Sequence, residues 1–292
     1  MRKILFILLL VMLSSCSSSK TVLKEKKSNL FLWEIKSKTS NTTSYLLGLN
    51  FYKNMVPLDK RVEEAYNKSD ILLLETNVDY ESNEFKEAIL NKFSYKYGRT
   101  LKDDLPTNIY NKVIEFSKNY GMDSKIIKLK PSFALIMLSE AKEKELGYNI
   151  YNISDFFKKK AEVDNKKILE LENIDELLSW KNTMKQYVFE DYEYFFKNIT
   201  NMKKEFEELL NIQKTGDLNR LLKFSVIKNH SKEYIDYERE QLKRRNTKMV
   251  KRIIEYLSND KSYFISIGVF NLAGEYGIIN LLRKKGYIVR KY

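Results

Sequence analysis

The side chains that could do acid–base work are few and scattered. Glu75 closes Asp70-Ile-Leu-Leu-Leu-Glu75, a nearly all-apolar run of the kind that forms a strand buried on both faces. A carboxyl set among such neighbours resists ionisation, which would make Glu75 a usable general acid or base. Pairing with a basic residue such as Arg245 would instead make it a fixture of the fold. Arg245 and Asn246 fall on a long helical stretch and could line one cleft with Glu75. Arg245 could equally join Lys243, Arg244 and Lys248 on a solvated face. Glu34, beside Trp33, is a binding candidate or a plain strand-face residue. The single histidine, His230, lies in Lys228-Asn229-His230-Ser231 between two helices, where a surface or capping role is expected. Asp103 and Asp104, ahead of Leu105-Pro106-Thr107, read as a loop and helix-start signal rather than as paired carboxylates.

The single cysteine, Cys16, has different neighbours. Arg2 and Lys3 precede an unbroken apolar run from Ile4 to Leu13, which closes on Leu13-Ser14-Ser15-Cys16. That order of charge, apolar core and small residues is a secretory signal, and the run falls short of the ~20 residues that a membrane-spanning helix needs. Leu-Ser-Ser-Cys resembles the lipobox of bacterial lipoproteins, in which the cysteine is acylated and becomes the first residue; an ordinary cleaved signal with a chance cysteine is the alternative. Acylation of Cys16 would remove the chain's one thiol, and with it any disulfide, thiolate metal site or cysteine nucleophile. Ser17 follows, where an aspartate would direct retention at the inner membrane in some bacteria, so an outer-membrane location is favoured within the cell envelope.

The chain carries 52 Lys and Arg against 39 Asp and Glu, a net charge of +13 over 292 residues. The lysines are spread along the whole length, beside abundant Asn, Ile and Tyr. Such basicity does not point to nucleic acid, and it better suits contact with anionic lipid, at ~1 kcal/mol per well-placed lysine.

Three segments follow: a signal peptide over residues 1–15, a lipidated cysteine and flexible tether over 16–29, and one domain over 30–292 with a helical insertion at about 80–260. Leu30 to Ile35 and Thr43 to Leu49 suggest a hairpin across the turn Lys36 to Asn41. A helix over Asp59 to Lys68 leads to the strand that ends at Glu75. Helices are then expected over Asn83 to Tyr97, Thr107 to Tyr120, Ser132 to Glu145 and, after a Ser154 cap, Asp155 to Val163. Lys166 to Leu171 interrupts them as a strand. Beyond it come Asp175 to Ile212, Asp217 to Lys228 and Lys232 to Leu257, with apolar residues at helical spacing. Strand Tyr263 to Val269, helix Glu275 to Lys285 and strand Tyr287 to Arg290 complete an α/β fold whose sheet is built from both ends of the chain. The aromatics of Tyr187 to Phe196 read as core at helical spacing, with a binding groove as the alternative. Gly274-Glu275-Tyr276-Gly277 could offer backbone N–H groups to an anion, but reads better as a tight strand-to-helix turn. The sequence contains no P-loop, G-x-G-x-x-G, G-x-S-x-G or H-E-x-x-H.

The two ends resemble the TraB/GumN family, to which the TIKI metalloproteases are related. At the first end stand Leu32-Trp33-Glu34-Ile35, Thr43-Ser44-Tyr45-Leu46-Leu47-Gly48, Ala65, and Ser69-Asp70 leading into Leu72-Leu73-Leu74-Glu75. At the second stand Arg245-Asn246-x-x-Met249, Phe264-Ile-Ser-Ile-Gly268, Leu272-Ala-Gly274-Glu275-x-Gly277, Leu281-Leu282 and Gly286-Tyr287-x-Val289. The resemblance implies the EreA/ChaN-like fold of that family, and a divalent metal held by two G-x-x-H motifs with a glutamate such as Glu75 nearby. Imidazole binds transition metals strongly, and a neighbouring carboxylate can shuttle protons from metal-bound water. Here the motifs read Gly48-Leu49-Asn50-Phe51 and Gly268-Val269-Phe270-Asn271. Phe51 cannot bind a metal, and Asn271 offers one neutral amide oxygen, so no metal cofactor is expected at these degenerate positions.

Three functions stay open on this reading. The chain is a lipid-anchored family member that has lost metal-dependent catalysis and acts by binding a peptide or envelope protein. Alternatively it is an active hydrolase or peptidase with a non-standard site, in which Glu75 and Asn271 work with Glu34 or Arg245. As a third possibility, it is an envelope scaffold whose basic helices bind anionic polymer or lipid.

Overall fold

Alternation of apolar side chains sets the first hairpin. Strands β1 (Leu32–Lys36) and β2 (Thr43–Gly48) pair antiparallel, with Trp33 opposite Leu46 and Ile35 opposite Ser44. Trp33 and Ile35 point to one face, while Leu32 and Tyr45 point to the other. The computed structural model describes residues 30–36, 42–48, 59–79, 82–148, 153–183, 187–225 and 230–292. The signal peptide, Cys16, the tether, the hairpin turn expected through Asn41, and Phe51 lie outside the described residues.

Helix α1 (Lys60–Asn67) starts at Asp59, whose carboxylate accepts from Arg61 N at 2.9 Å, and leads to β3 (Ile71–Leu74). The helices α2 (Asn83–Phe93), α3 (Thr107–Lys118), α4 (Asp123–Ile126), α5 (Pro131–Glu145) and α6 (Ile153–Val163) follow. Then come β4 (Lys167–Glu170), α7 (Ile174–Thr183), α8 (Val188–Asn198), α9 (Met202–Thr215), α10 (Leu218–Ser225) and α11 (Lys232–Leu257). The chain finishes with β5 (Tyr263–Ile267), α12 (Ile278–Lys284) and β6 (Ile288–Lys291).

The six strands lie in the order β4-β3-β5-β2-β1-β6. β4, β3, β5 and β2 run parallel, whereas β1 is antiparallel to both β2 and β6. The sheet thus joins both ends of the chain, as the sequence predicts, and β4 adds an edge strand from the middle. One face packs Trp33, Leu73 and Ile265 against Met249, Val250 and Ile253 of α11 and Ile278 and Leu282 of α12. The opposite face packs Leu72, Leu74 and Phe264 against Val62, Ala65 and Tyr66 of α1 and Phe157 and Ala161 of α6. Fully burying one such side chain contributes about 1.5–3 kcal/mol, so the central strands are anchored from both sides.

The chain divides into two compact units. One, residues 30–77, 151–171 and 207–292 of those described, carries the sheet. The other, residues 78–150 and 172–206, is helical, with Phe93 stacked on Phe133 at 5.1 Å and Phe116 set edge-on to Phe195 at 5.5 Å.

Several boundaries differ from the sequence expectations. The single helix expected over Asp175 to Ile212 is three helices, and the chain turns after α8, where Asn201 N–H donates to Asn198 O at 2.8 Å. Asparagine favours such turns because its short polar side chain competes for nearby backbone groups. Ser154 lies inside α6 rather than ahead of it. α12 begins three residues after Glu275, because Gly274 has a positive φ of 86° and Gly277 is extended. A side chain on Gly277 would come within 2.3 Å of Leu272 O and 2.4 Å of Ala273 O, so this segment is a tight turn rather than an open cradle.

The entrances of β3 and β5 are clasped together. Asp70 Oδ2 accepts from both the backbone N–H and the hydroxyl of Ser262, each at 2.9 Å, and Asp70 N–H donates to Ser262 O at 3.0 Å. The Ser262 backbone N–H, followed by its hydroxyl, holds the Asp70 carboxyl below its ordinary pKa. A carboxyl whose folded pKa lies below the unfolded value of about 3.9 stabilises the fold fully above that value. The contribution is lost as pH falls through the folded pKa. Asp70→Asn should therefore lower the urea midpoint at pH 7 and leave a smaller deficit at pH 3; an equal deficit at both would show that the clasp owes nothing to the charge.

Candidate functional site

The parallel strands deliver their C-terminal ends to one edge of the sheet, the place where open α/β sheets gather functional groups. β3 is extended by one ladder bond, Glu75 N–H to Ser266 O at 3.0 Å, so the Glu75 side chain emerges at that edge on the face covered by α11. Its Oε1 accepts from Arg245 Nη2 at 2.6 Å, and its Oε2 accepts from Gly268 N–H at 2.6 Å. Asn271 Nδ2 stands 3.5 Å from the same Oε2. The Arg245 and Glu75 side chains are only 3% and 12% exposed, so this ion pair is largely withdrawn from water.

Helix periodicity explains the basic partner. Leu242, Arg245, Asn246, Met249, Val250 and Ile253 are all buried on α11, a three-and-four spacing that makes one inward stripe. Arg245 and Asn246 occupy positions in that stripe that apolar residues would otherwise fill. Lys243 and Arg244 turn outward to Glu240. Arg245 is thus separated from the solvated charges around it. Asn246 is fully buried, and its amide donates to Asn271 O at 3.1 Å and to Tyr276 O at 2.9 Å, fastening the segment between β5 and α12.

Gly48 and Gly268 each have a local reason. After Gly268 the chain makes a 3-10 turn over Val269–Asn271, with Asn271 N–H donating to Gly268 O at 3.0 Å. Three residues per turn bring position 271 back over position 268, and hence towards Glu75. At the end of β2, a Cβ on Gly48 would fall 1.9 Å from Leu272 Cδ1, so a larger residue there would displace the buried Leu272 side chain. Three further polar atoms in the same unit, Thr76 Oγ1, Asn77 Oδ1 and Asn246 Oδ1, are buried without a hydrogen-bond partner. Buried groups of this kind are ordinarily met by ordered water or a ligand.

Of the residues singled out from sequence, Glu75, Arg245, Asn246 and Asn271 come together. Glu34 does not: it pairs across the sheet with Tyr45 and Arg290, on the face opposite the Arg245 contact and three strands from β3. His230 precedes the Ser231 cap of α11, and its ring lies 4.3 Å from that of Tyr234. That end is roughly 20 Å along the helix from Arg245. Sequence reasoning missed the Gly268 N–H, Thr76 and Asn77; backbone donors carry no residue signature, although the glycine marked the place.

A metal suits this arrangement poorly. A guanidinium already sits against Glu75, Asn271 turns its N–H side to the carboxylate, and among the described residues no three His, Cys, Asp or Glu side chains gather as a ligand group. The donor set is that of a buried ion pair.

Removing one partner of a buried pair strands the other charge and costs about 3–5 kcal/mol, whereas replacing both with apolar groups is far milder. Glu75→Leu and Arg245→Met should each lower unfolding free energy by about that amount, and the double variant by clearly less than their sum. Additive single effects in urea titrations would contradict a direct coupling.

The sequence model of the TraB/PrgY/gumN family matches residues 31–291, which takes in every strand and helix described above. Searches of the curated proteins and of the solved structures gave no significant match. The collinear motifs at both ends, the sheet they build and a match over nearly the whole chain establish that this protein belongs to the TraB/PrgY/gumN family.

Proposed function

We propose that this chain is a lipid-anchored envelope protein that acts by binding a peptide or protein ligand, on a family scaffold that no longer performs metal-dependent hydrolysis. The observation that carries this reading is the state of Glu75. Both carboxylate oxygens already accept a hydrogen bond, one from a buried guanidinium and one from a backbone N–H, so a proton from an attacking water would have to compete with these donors. The replacement of the two family histidines by Phe51 and Asn271 points the same way.

The anchor rests on the Leu13-Ser14-Ser15-Cys16 sequence. Among the described residues no helix is long and apolar enough to cross a membrane. On this reading acylation at Cys16 supplies the attachment, with the surface lysines adding contact to anionic headgroups.

Metal content tests the central claim. The purified protein should take up no stoichiometric zinc or manganese, while Phe51→His combined with Asn271→His should gain measurable affinity. One metal per wild-type chain, with peptide hydrolysis that disappears in Glu75→Ala, would overturn it. For the anchor, Cys16→Ala should abolish labelling by radioactive palmitate and move the protein out of the membrane fraction; unchanged labelling would refute lipidation at that residue.

A further inference from the structure

The helical unit contains a cavity of about 510 Å³ that shares no residue with the Glu75 cluster. Its wall is the segment from Ser94 to Arg99, which leaves α2 and is strapped to the start of α5. Ser94 bridges Leu129, and Tyr95 N–H donates to Lys128 O at 2.9 Å. The segment reverses at Tyr97 and Gly98, whose φ values are 59° and 76°, and Arg99 N–H donates back to Lys96 O at 3.4 Å. This is the geometry of a type I′ turn, and it sets the two cations Lys96 and Arg99 side by side.

Tyr97 is out of place in such a turn. A left-handed backbone costs an ordinary residue about 1–2 kcal/mol, and Asn or Asp is the usual occupant. The Tyr97 side chain is fully exposed, so burial offsets none of that cost. A bulky aromatic held in a strained conformation and presented to water is a feature that folding does not explain, and strain of this sort concentrates at functional positions.

The remaining lining gives the cavity its chemistry. Asp104 accepts from the Tyr95 hydroxyl at 2.6 Å and is paired with Arg99. Burial, and then the Asp104 carboxylate, push the Tyr95 phenol well above its ordinary pKa, so it stays a hydroxyl donor to Asp104. The carboxylate is thereby occupied on both oxygens, while the Arg99 fork retains N–H groups and its side chain is 60% exposed. Lys96 and Lys130 add two more cations to the lining, and Phe189, 42% exposed on α8, adds a second accessible ring.

We propose that this cavity is a binding site for a small anionic aromatic molecule, whose phosphate or carboxylate is held by Arg99 and Lys96 while its ring packs against Tyr97 and Phe189. Its volume lies within the range of small-molecule sites. Three cations against one carboxylate leave the lining two positive charges in excess, which selects for negative charge, and guanidinium recognises planar or tetrahedral oxyanions through paired N–H donors. The proposal does not depend on the Glu75 cluster and stands or falls without it.

Titration calorimetry of the full-length chain in detergent, with phenyl phosphate, benzoate, phenol and inorganic phosphate as probes, tests it. Phenyl phosphate should bind saturably at one per chain, about tenfold more tightly than inorganic phosphate or phenol, because charge and ring contribute separately. Arg99→Gln should weaken it at least about fivefold. Tyr97→Gly should weaken it comparably while leaving the thermal midpoint unchanged or raised, since strain is relieved; that outcome separates a ligand contact from a structural role. Comparison of benzoate with phenyl phosphate tells which anion the cations prefer. Equal affinity for inorganic and phenyl phosphate, the absence of saturable binding, or indifference to both substitutions would overturn the proposal.

Discussion

A carboxylate and a guanidinium, brought together from residues 75 and 245, organise the C-terminal edge of the parallel strands. Neither charge could stand there alone, because burying an isolated ion is far more costly than leaving an apolar side chain in its place. The pair sets an arginine within the apolar stripe of α11, where it meets the first side chain beyond β3. Asn246, the next residue, then fastens the segment between β5 and α12 through two backbone carbonyls. Strand, long helix and turn are thus held in one arrangement by groups far apart in the chain.

The same edge gives the two glycines Gly48 and Gly268 packing and backbone roles of their own. Gly48 leaves room for the Leu272 side chain, and Gly268 closes β5, donates its N–H to Glu75 and opens a single 3-10 turn. Those constraints act on backbone and packing, so they persist whatever stands three residues later. An imidazole at position 271 would lie near the carboxylate; an asparagine there directs an amide N–H at it instead. Replacing the side chain changes what the edge can bind without loosening what holds it.

The helical unit is governed by other forces. Its core mixes aliphatic and aromatic side chains, and the Tyr192 hydroxyl donates to Pro131 O at 2.9 Å. Asp104, which reads in sequence as part of a loop and helix-start signal, takes the hydroxyl of Tyr95 and the guanidinium of Arg99. Phe189, within the aromatic cluster expected to be core, stays half outside it while Tyr192 and Phe195 are buried. Accessible rings and paired cations therefore meet in one hollow.

The sequence by itself determined the alternating strands, the buried run ending at Glu75, the full extent of α11 from Lys232 to Leu257 and the joining of both chain ends in one sheet. Each follows from periodicity, which is a local property. It also placed Glu75, Arg245, Asn246 and Asn271 on the roll of candidates, with Arg245 left between an inward and a solvated position. Only the tertiary structure decided that Arg245 points inward to Glu75, that Glu34 faces away on the other side of the sheet, and that Lys96, Tyr97, Arg99 and Phe189 share a cavity. Pairing across 170 residues is set by which buried charges can satisfy one another once the strands and helices are packed, and no local pattern in the chain encodes that choice.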